Sequence, residues 1–319
     1  ECLICKNKNT SFVSDYKLEI HEDAEYFKNC KIYKCHDCEF NFVSPMPPRE
    51  KLDYFYENIY RSLNRPPYWL TENFEDLKNS YLDDRNIGYL MYTSLLIDFK
   101  NISNIFDFGA GHGDLGFALK KKFPHLKLFC TENDKHCIPL LEEREYKNLS
   151  ETKSLENKID LIIAIHSLEH LDSLEIFENF KKILRPNGRI FFEVPNCPEE
   201  YFNGRPYDGP HLLFYTKKSF EQISKKFNFE IEHFDFSSYT FSQDHKYQRD
   251  SQNLYYKLNK KKLNFEIIKK YLKKVIPYKF IRMRQKLNYA NKLANSSRID
   301  SFAFNTGDNC YIRGILRKK

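Results

Sequence analysis

Four cysteines stand in two tight pairs near the amino-terminus, Cys2-x2-Cys5 and Cys35-x2-Cys38, with 29 residues between the pairs. Two such turns can present four thiolates to one zinc ion at about 2.3 Å with little backbone strain. Four sulfur ligands leave no position for water, so the spacing predicts a structural Zn2+ rather than a catalytic one. Neither pair opens a helix after a strand, which argues against a redox dithiol. A second signal is Ile105-Phe-Asp107-Phe-Gly109-Ala-Gly111-His-Gly113, an apolar run passing into a glycine-rich turn and then an amphipathic stretch from Leu115. Glycines let backbone pass close to a ligand, and a helix start supplies unpaired N–H groups. Taken alone the turn is ambiguous, because Gly111-x-Gly113-x-x-Gly116 also fits a dinucleotide fingerprint, with Glu132 at the distance of a ribose-binding acid. Asp107 weighs against a pyrophosphate: a carboxylate there suits a ligand with a positive amino group. Histidines supply candidates for proton transfer, since they titrate near working pH.

The elements that must position these residues are legible as alternating patterns. Ile105–Phe108, Leu126–Cys130, Asp160–Ile165 and Arg189–Val194 read as buried parallel strands, with helices at Leu115–Lys122 and Ser173–Leu184 between them. That alternation predicts a doubly wound α/β sheet. A helix at Lys217–Lys226, a strand at Asn228–Phe236 and a last strand at Cys310–Leu316 continue it. Residues 1–48 form a small cysteine module closed by Pro45, Pro47 and Pro48, which interrupt ladder and helix alike. Fewer than 50 residues bury little apolar surface, so metal binding should supply much of this module's folding free energy. Residues 49–99 read as a helical linker, with Leu52, Phe55, Tyr56 and Ile59 at helical spacing and a break at Pro66–Pro67. The core then runs over 100–240, a lysine-rich helical insertion over 241–300, and the final core strand over 301–319.

Composition narrows the class. With 319 residues, 41% hydrophobic and 16% aromatic, the chain is neither disordered nor fibrous. No apolar stretch is long enough to span a membrane, and no secretory order opens the sequence. Nine cysteines, an odd number that includes the duplicated CxxC, read as metal ligation in a reducing cytoplasm. Charge is divided: residues 241–319 hold 20 lysines and arginines against 5 acids, while 1–240 hold 31 against 39. A basic segment on an acidic body points to a local anionic partner.

Further along, Thr131-Glu132-Asn133-Asp134 follows the second strand, and His166-Ser-Leu-Glu169-His170-Leu follows the fourth. Ile183-Leu-Arg-Pro186-Asn-Gly188 leads into Glu193-Val-Pro195-Asn196. With Cys35-His-Asp-Cys38-Glu-Phe-Asn-Phe-Val-Ser-Pro-Met-Pro47 and the stretch Tyr54 to Tyr60, the chain resembles a class I S-adenosylmethionine-dependent methyltransferase. The resemblance is to the branch with an amino-terminal zinc ribbon found among surface-polysaccharide and sugar-modifying enzymes, and it covers about residues 1–235 plus the final strand. It implies a mostly parallel seven-stranded sheet with an antiparallel last strand. It also implies that Gly109 and Gly111 line the amino-acid portion of S-adenosyl-L-methionine, that Asp107 holds the region near its ammonium, and that Glu132 accepts from the ribose hydroxyls. Asn133 would lie beside the adenine and His166 near the transferred methyl group. His211, in Gly-Pro-His-Leu-Leu-Phe-Tyr215-Thr, occupies a stretch whose histidine faces substrate in that branch. It is the preferred base, with His166 second. Glutamate at 132 and His112 depart mildly from the pattern.

The expected reaction is methyl transfer, foremost to oxygen, on a sugar, nucleotide-sugar or phosphorylated glycan precursor of surface-polysaccharide biosynthesis. A sugar C-methyltransferase is an alternative. Lys260, Lys261, Lys262, Lys269, Lys270, Lys273 and Lys274 would surround the entrance for an anionic acceptor if 241–300 lies between the sixth and seventh strands. An RNA methyltransferase, gripping phosphates with ribbon and basic helices, is the second reading. His166-Ser167-Leu168 lacks the Asn/Asp-Pro-Pro-aromatic run of amino-group base methylation. A membrane-surface or partner-binding protein, using Leu254, Leu258, Phe265, Ile268 and Leu272, is third, and a nicotinamide dehydrogenase last. Glu169 and His170 are expected to cap or orient the next helix, and Tyr215 and Asn196 to bond the acceptor.

Overall fold

The computed structural model describes residues 1–17, 24–60, 78–82, 84–203, 210–237 and 311–319. The lysines and the apolar stripe expected over 241–300, Pro66–Pro67 and Cys310 lie outside these residues. In chain order the amino-terminal elements are β1 (Thr10–Asp15), α1 (Ala24–Phe27), β2 (Lys31–Cys35), β3 (Asn41–Ser44) and α2 (Arg49–Asn58). Next come α3 (Asp84–Leu96), β4 (Asn104–Phe108), α4 (Asp114–Lys122), β5 (Lys127–Thr131), α5 (Ile138–Glu143), β6 (Tyr146–Asn148) and β7 (Ile159–Ile165). The chain continues through α6 (Ile176–Ile183), β8 (Leu184–Pro195), β9 (Leu213–Phe214), α7 (Lys217–Phe227), β10 (Phe229–Ser237) and β11 (Tyr311–Lys318).

Seven strands form one sheet in the order β10-β11-β8-β7-β4-β5-β6. β4, β5, β6, β7 and β8 pair in parallel, whereas β11 runs antiparallel to both β8 and β10. The order reverses between β4 and β7, which opens a crevice beyond their carboxyl ends, where open α/β sheets bind ligands. Both faces are covered, so the strands read as nearly unbroken apolar runs. Successive side chains still divide by face. Phe106, Ile162, Ala164 and Phe192 enter one core, while Ile105, Leu161, Ile163 and Phe191 enter the other. α4 supplies Leu115 and Leu119 to the second core, and α6 and α7 supply Phe177, Phe180, Phe220 and Ile223 to the first. α7 begins where the Thr216 hydroxyl accepts from the Ser219 N–H at 3.2 Å and ends at Asn228, which takes the left-handed conformation.

The cysteine module is continuous with the first core. Its three antiparallel strands are completed by β9, giving the order β1-β2-β3-β9, with Phe42 opposite Leu213. A file of rings joins the module to the main sheet: Phe40 meets Tyr215 at 5.4 Å, Tyr215 meets Phe220 at 5.0 Å, and Phe220 stacks on Phe192 at 4.1 Å. No helix among the described residues is long and apolar enough to cross a membrane.

Candidate active site

The glycine turn sits at the carboxyl end of β4. Gly109, Gly111 and Gly113 all have positive φ, at 62°, 55° and 67°. A left-handed backbone costs a residue with a β-carbon, so glycine is the residue that passes here at little cost. Asp107 is buried beneath the turn and accepts a hydrogen bond from the Tyr146 hydroxyl at 3.1 Å. Burial pushes its carboxyl up to about 8; the bond from Tyr146 works the other way, and the charges of Glu132 and Asp114 add to the rise. Tyr146 also explains Gly116. A β-carbon there would lie 2.0 Å from the Tyr146 hydroxyl, so the third glycine of the apparent dinucleotide fingerprint is a packing requirement.

Glu132 follows β5 and bends toward the turn. Its carboxylate accepts from Gly111 N at 2.6 Å and from Asp134 N at 2.9 Å, and Asn133 beside it is exposed. A cavity of about 580 Å³ is bordered by Glu132, Asn133, Gly109 and His166. A larger one of about 1370 Å³ is bordered by Asp107, Gly109, Gly111, His166 and His211. One small-ligand site occupies about 300–1,000 Å³, so the pair of cavities has room for two molecules meeting at Gly109 and His166.

The other wall is the loop after β7. His166 takes a positive φ of 49°, rare for a residue with a side chain, and its N–H bonds the Glu193 carbonyl at 2.8 Å. Its Nδ1 lies 3.1 Å from Glu169 Oε1 and its Nε2 3.3 Å from Glu193 Oε1. Two carboxylates, each an acceptor when ionised, call for an N–H on both ring nitrogens. That arrangement leaves His166 less suited than His211 to take a proton. Glu193 is itself buried and accepts from Tyr89 and, at 3.0 Å, from Ser237.

Glu169 does not cap the next helix as expected, because α6 starts only at Ile176. It is buried instead. Burial raises its carboxyl, but the bond to His166 and the charges of His166, His170 and His211 outweigh it and hold Glu169 near about 2. Tyr215 is likewise turned inward: fully buried, its hydroxyl donates to the Leu168 carbonyl at 3.0 Å, so it faces no acceptor. Asn196 borders the larger cavity. The His211 backbone is fastened from three sides. Tyr16 of the cysteine module donates to its carbonyl at 2.9 Å, Tyr56 of α2 donates to the Pro210 carbonyl at 3.1 Å, and Leu212 N donates to the Glu169 carbonyl at 2.7 Å.

The four cysteines 2, 5, 35 and 38 gather with their sulfurs within 4.8 Å of one another, and Cys5 lies 3.7 Å from Cys35. Bonds of 2.3 Å place tetrahedral sulfurs about 3.8 Å apart, so the set fits zinc. Burial pushes the Cys2 thiol up to about 12, and Cys38 is raised for the same reason with its neighbours' charges adding. A cation at the centre would favour the thiolates over that burial cost.

Arg144 and Tyr146 carry site functions that no motif announced. Arg144 is buried, bonds the His112 carbonyl of the turn and pairs with Asp114 at 2.7 Å. An arginine between a short helix and a three-residue strand resembles surface in sequence. Glu193 left a fainter trace, as the one acid within an apolar strand.

The sequence profile described as "Methyltransferase domain" matches residues 78–234. With the strand order and the glycine turn, that match marks this stretch as a methyltransferase domain. Three solved structures bear a likeness to the chain. A SAM-dependent methyltransferase from Archaeoglobus fulgidus is 16% identical over 77% of this chain and 100% of its own, with a TM-score of 0.44. Coclaurine N-methyltransferase bound to N-methylheliamine and SAH is 15% identical over 72% of each chain, with a TM-score of 0.41. The StiE O-MT is 13% identical over 78% of each chain, with a TM-score of 0.40. No curated protein matches the chain in sequence.

Proposed function

We propose that the chain methylates an oxygen of a polar, sugar-containing or phosphorylated acceptor, with S-adenosyl-L-methionine as donor and a structural zinc in the four-cysteine cluster. The observation that carries this reading is the larger cavity: beyond the glycine turn its wall bears His170, His211, Glu169 and Asn196, with Lys34 and Lys217 at the rim. Hydroxyl-rich acceptors need such partners. When bound, the donor supplies a methyl group already activated by its sulfonium. The chain's residues do the rest. Asp107 offers a carboxylate beneath the ammonium end, Glu132 offers acceptors to the ribose, and Asn133 borders the adenine side. His211 takes the hydroxyl proton as the oxygen attacks. Closing the acceptor between the β7 loop and the ribbon limits access of water to the site.

The test supplies purified enzyme with methyl-labelled donor and a panel of nucleotide-sugars and sugar phosphates, product mass and carbon shifts locating the new methyl. O-methylated product that falls at least about a hundredfold in His211→Gln, at unchanged S-adenosylhomocysteine affinity, supports the reading. A new carbon–carbon bond would transfer it to C-methylation, and methylation of RNA alone would end it.

A further inference from the structure

Three side chains on the acceptor side converge without serving the donor: Glu169 and His170 from the β7 loop, and His211 from the segment before β9. One nitrogen or oxygen from each lies within 4.8 Å of the others. We infer that Glu169, His170 and His211 form a binding site for a divalent first-row cation, distinct from the four cysteines, that holds the acceptor through two adjacent oxygens. The inference deepens the proposed function and rests on its placement of the acceptor.

The second observation is a buried oxygen without a donor beside two ring nitrogens. Glu169 is 1% exposed; its Oε1 faces His166, while its Oε2 is buried and accepts no hydrogen bond among the described residues. A buried carboxylate oxygen left without a donor is costly, and a cation at that point removes the cost. His170 is oriented by its own partner. Tyr56 donates its one hydroxyl hydrogen to the Pro210 carbonyl at 3.1 Å, so toward His170 Nδ1, 3.2 Å away, it acts as acceptor. In the neutral ring that bond puts the proton on Nδ1 and the lone pair on Nε2, the nitrogen a cation would take. Metal-bound histidines are held this way, with the second nitrogen donating outward. The His211 ring lies 5.0 Å from the His170 ring at 69°.

Two imidazoles and one carboxylate suit manganese, iron, cobalt or zinc, and three protein ligands leave positions open for substrate. All three residues border the larger cavity, so the open positions face the acceptor. Bonds of about 2.1 Å place ligand atoms about 3.4 Å apart in a tetrahedron, so three atoms within 4.8 Å of one another draw together by up to about 1.4 Å when a cation binds. Adjacent oxygens occur as vicinal hydroxyls or as a hydroxyl beside a carboxylate, which narrows the substrate class. With the cation bound, His211 is a ligand and gives up the role of base that it has in the metal-free site. The cation then acidifies the bound hydroxyl, whose proton leaves to water.

The full chain, its zinc content measured and loosely held metal removed with a chelator, is titrated with Mn2+ and followed by electron paramagnetic resonance. The expected result is one Mn2+ per chain with nitrogen couplings from imidazole, weakened at least about tenfold in both Glu169→Gln and His170→Gln. S-adenosylhomocysteine affinity in the same preparations, expected within about threefold of the parent, reports that the variants are folded. Absence of a bound Mn2+, or a bound one lacking nitrogen coupling in the parent chain, overturns the inference whatever the variants do. So does undiminished binding in folded Glu169→Gln. Failure of the parent to bind S-adenosylhomocysteine defeats the methyltransferase reading instead, and the manganese signal is scored separately.

Discussion

In the proposed function Asp107 combines two demands that oppose each other: it is buried beneath the glycine turn, and it must be charged to attract an ammonium. Burial wins in the ligand-free chain and pushes it up to about 8. Tyr146 is the neighbour that donates to it, and Glu132 and Asp114 are the acids facing it. A cationic ligand selects the ionised carboxylate, so binding expels a proton below pH 8. Affinity for S-adenosylhomocysteine therefore climbs from pH 6 to 8 by up to about tenfold per unit and then levels. Asp107→Asn flattens the profile, which calorimetry at stepped pH will show; a parallel slope in the variant removes Asp107 from the site. The free chain runs the other way. Its folded value lies above the ordinary 3.8, so the group's contribution to stability is present below about pH 4 and lost as pH rises through 8.

Elements were legible wherever period and length agreed. β4, β5 and β7 fall within a residue or so of the apolar runs, because both faces of the sheet demand apolar side chains there, while the edge strand β10 falls as close on a mixture of apolar and charged residues. β6 and β9 were not, since runs of three and two residues carry no periodicity and exist only by pairing with β5 and β3. The paired cysteines and glycine turn were visible because their chemistry fixes spacing along the chain. Arg144 and Tyr146 were invisible, and Glu193 nearly so, because their roles depend on contacts 27 or more residues away. Tyr146 shows how such a contact governs an element. In an exposed helix Gly→Ala gains about 1 kcal/mol, yet Gly116→Ala drives a β-carbon into the Tyr146 hydroxyl. Urea denaturation should show a loss of about 1–3 kcal/mol. Adding Tyr146→Phe removes the obstructing oxygen, so the double variant should lose less than the two single losses together. Additive losses would mean that the turn accommodates the methyl without moving the tyrosine.

At the scale of the whole molecule, the proposed function makes the cysteine module part of the acceptor site. β9 is the fourth strand of its sheet and begins two residues after His211, whose carbonyl is bonded by Tyr16 of the same module. The donor side rests on β4, β5 and the Arg144 network, none of which belongs to that sheet. Loss of zinc should therefore divide the two functions. With the thiols alone, burial opposes ionisation of Cys2 and Cys38, the tight turns lose their common centre, and β1–β3 release β9. Chelation, or Cys38→Ser, should lower the melting temperature and reduce methyl transfer by at least about tenfold, while S-adenosylhomocysteine affinity changes by less than about threefold. The contrast matters more than either number. A misfolded core would lose both together, and a ribbon that merely hangs from the enzyme would lose neither. Restoring zinc to the chelated chain should recover turnover in step with refolding of the four-stranded sheet, a recovery that Cys38→Ser cannot show.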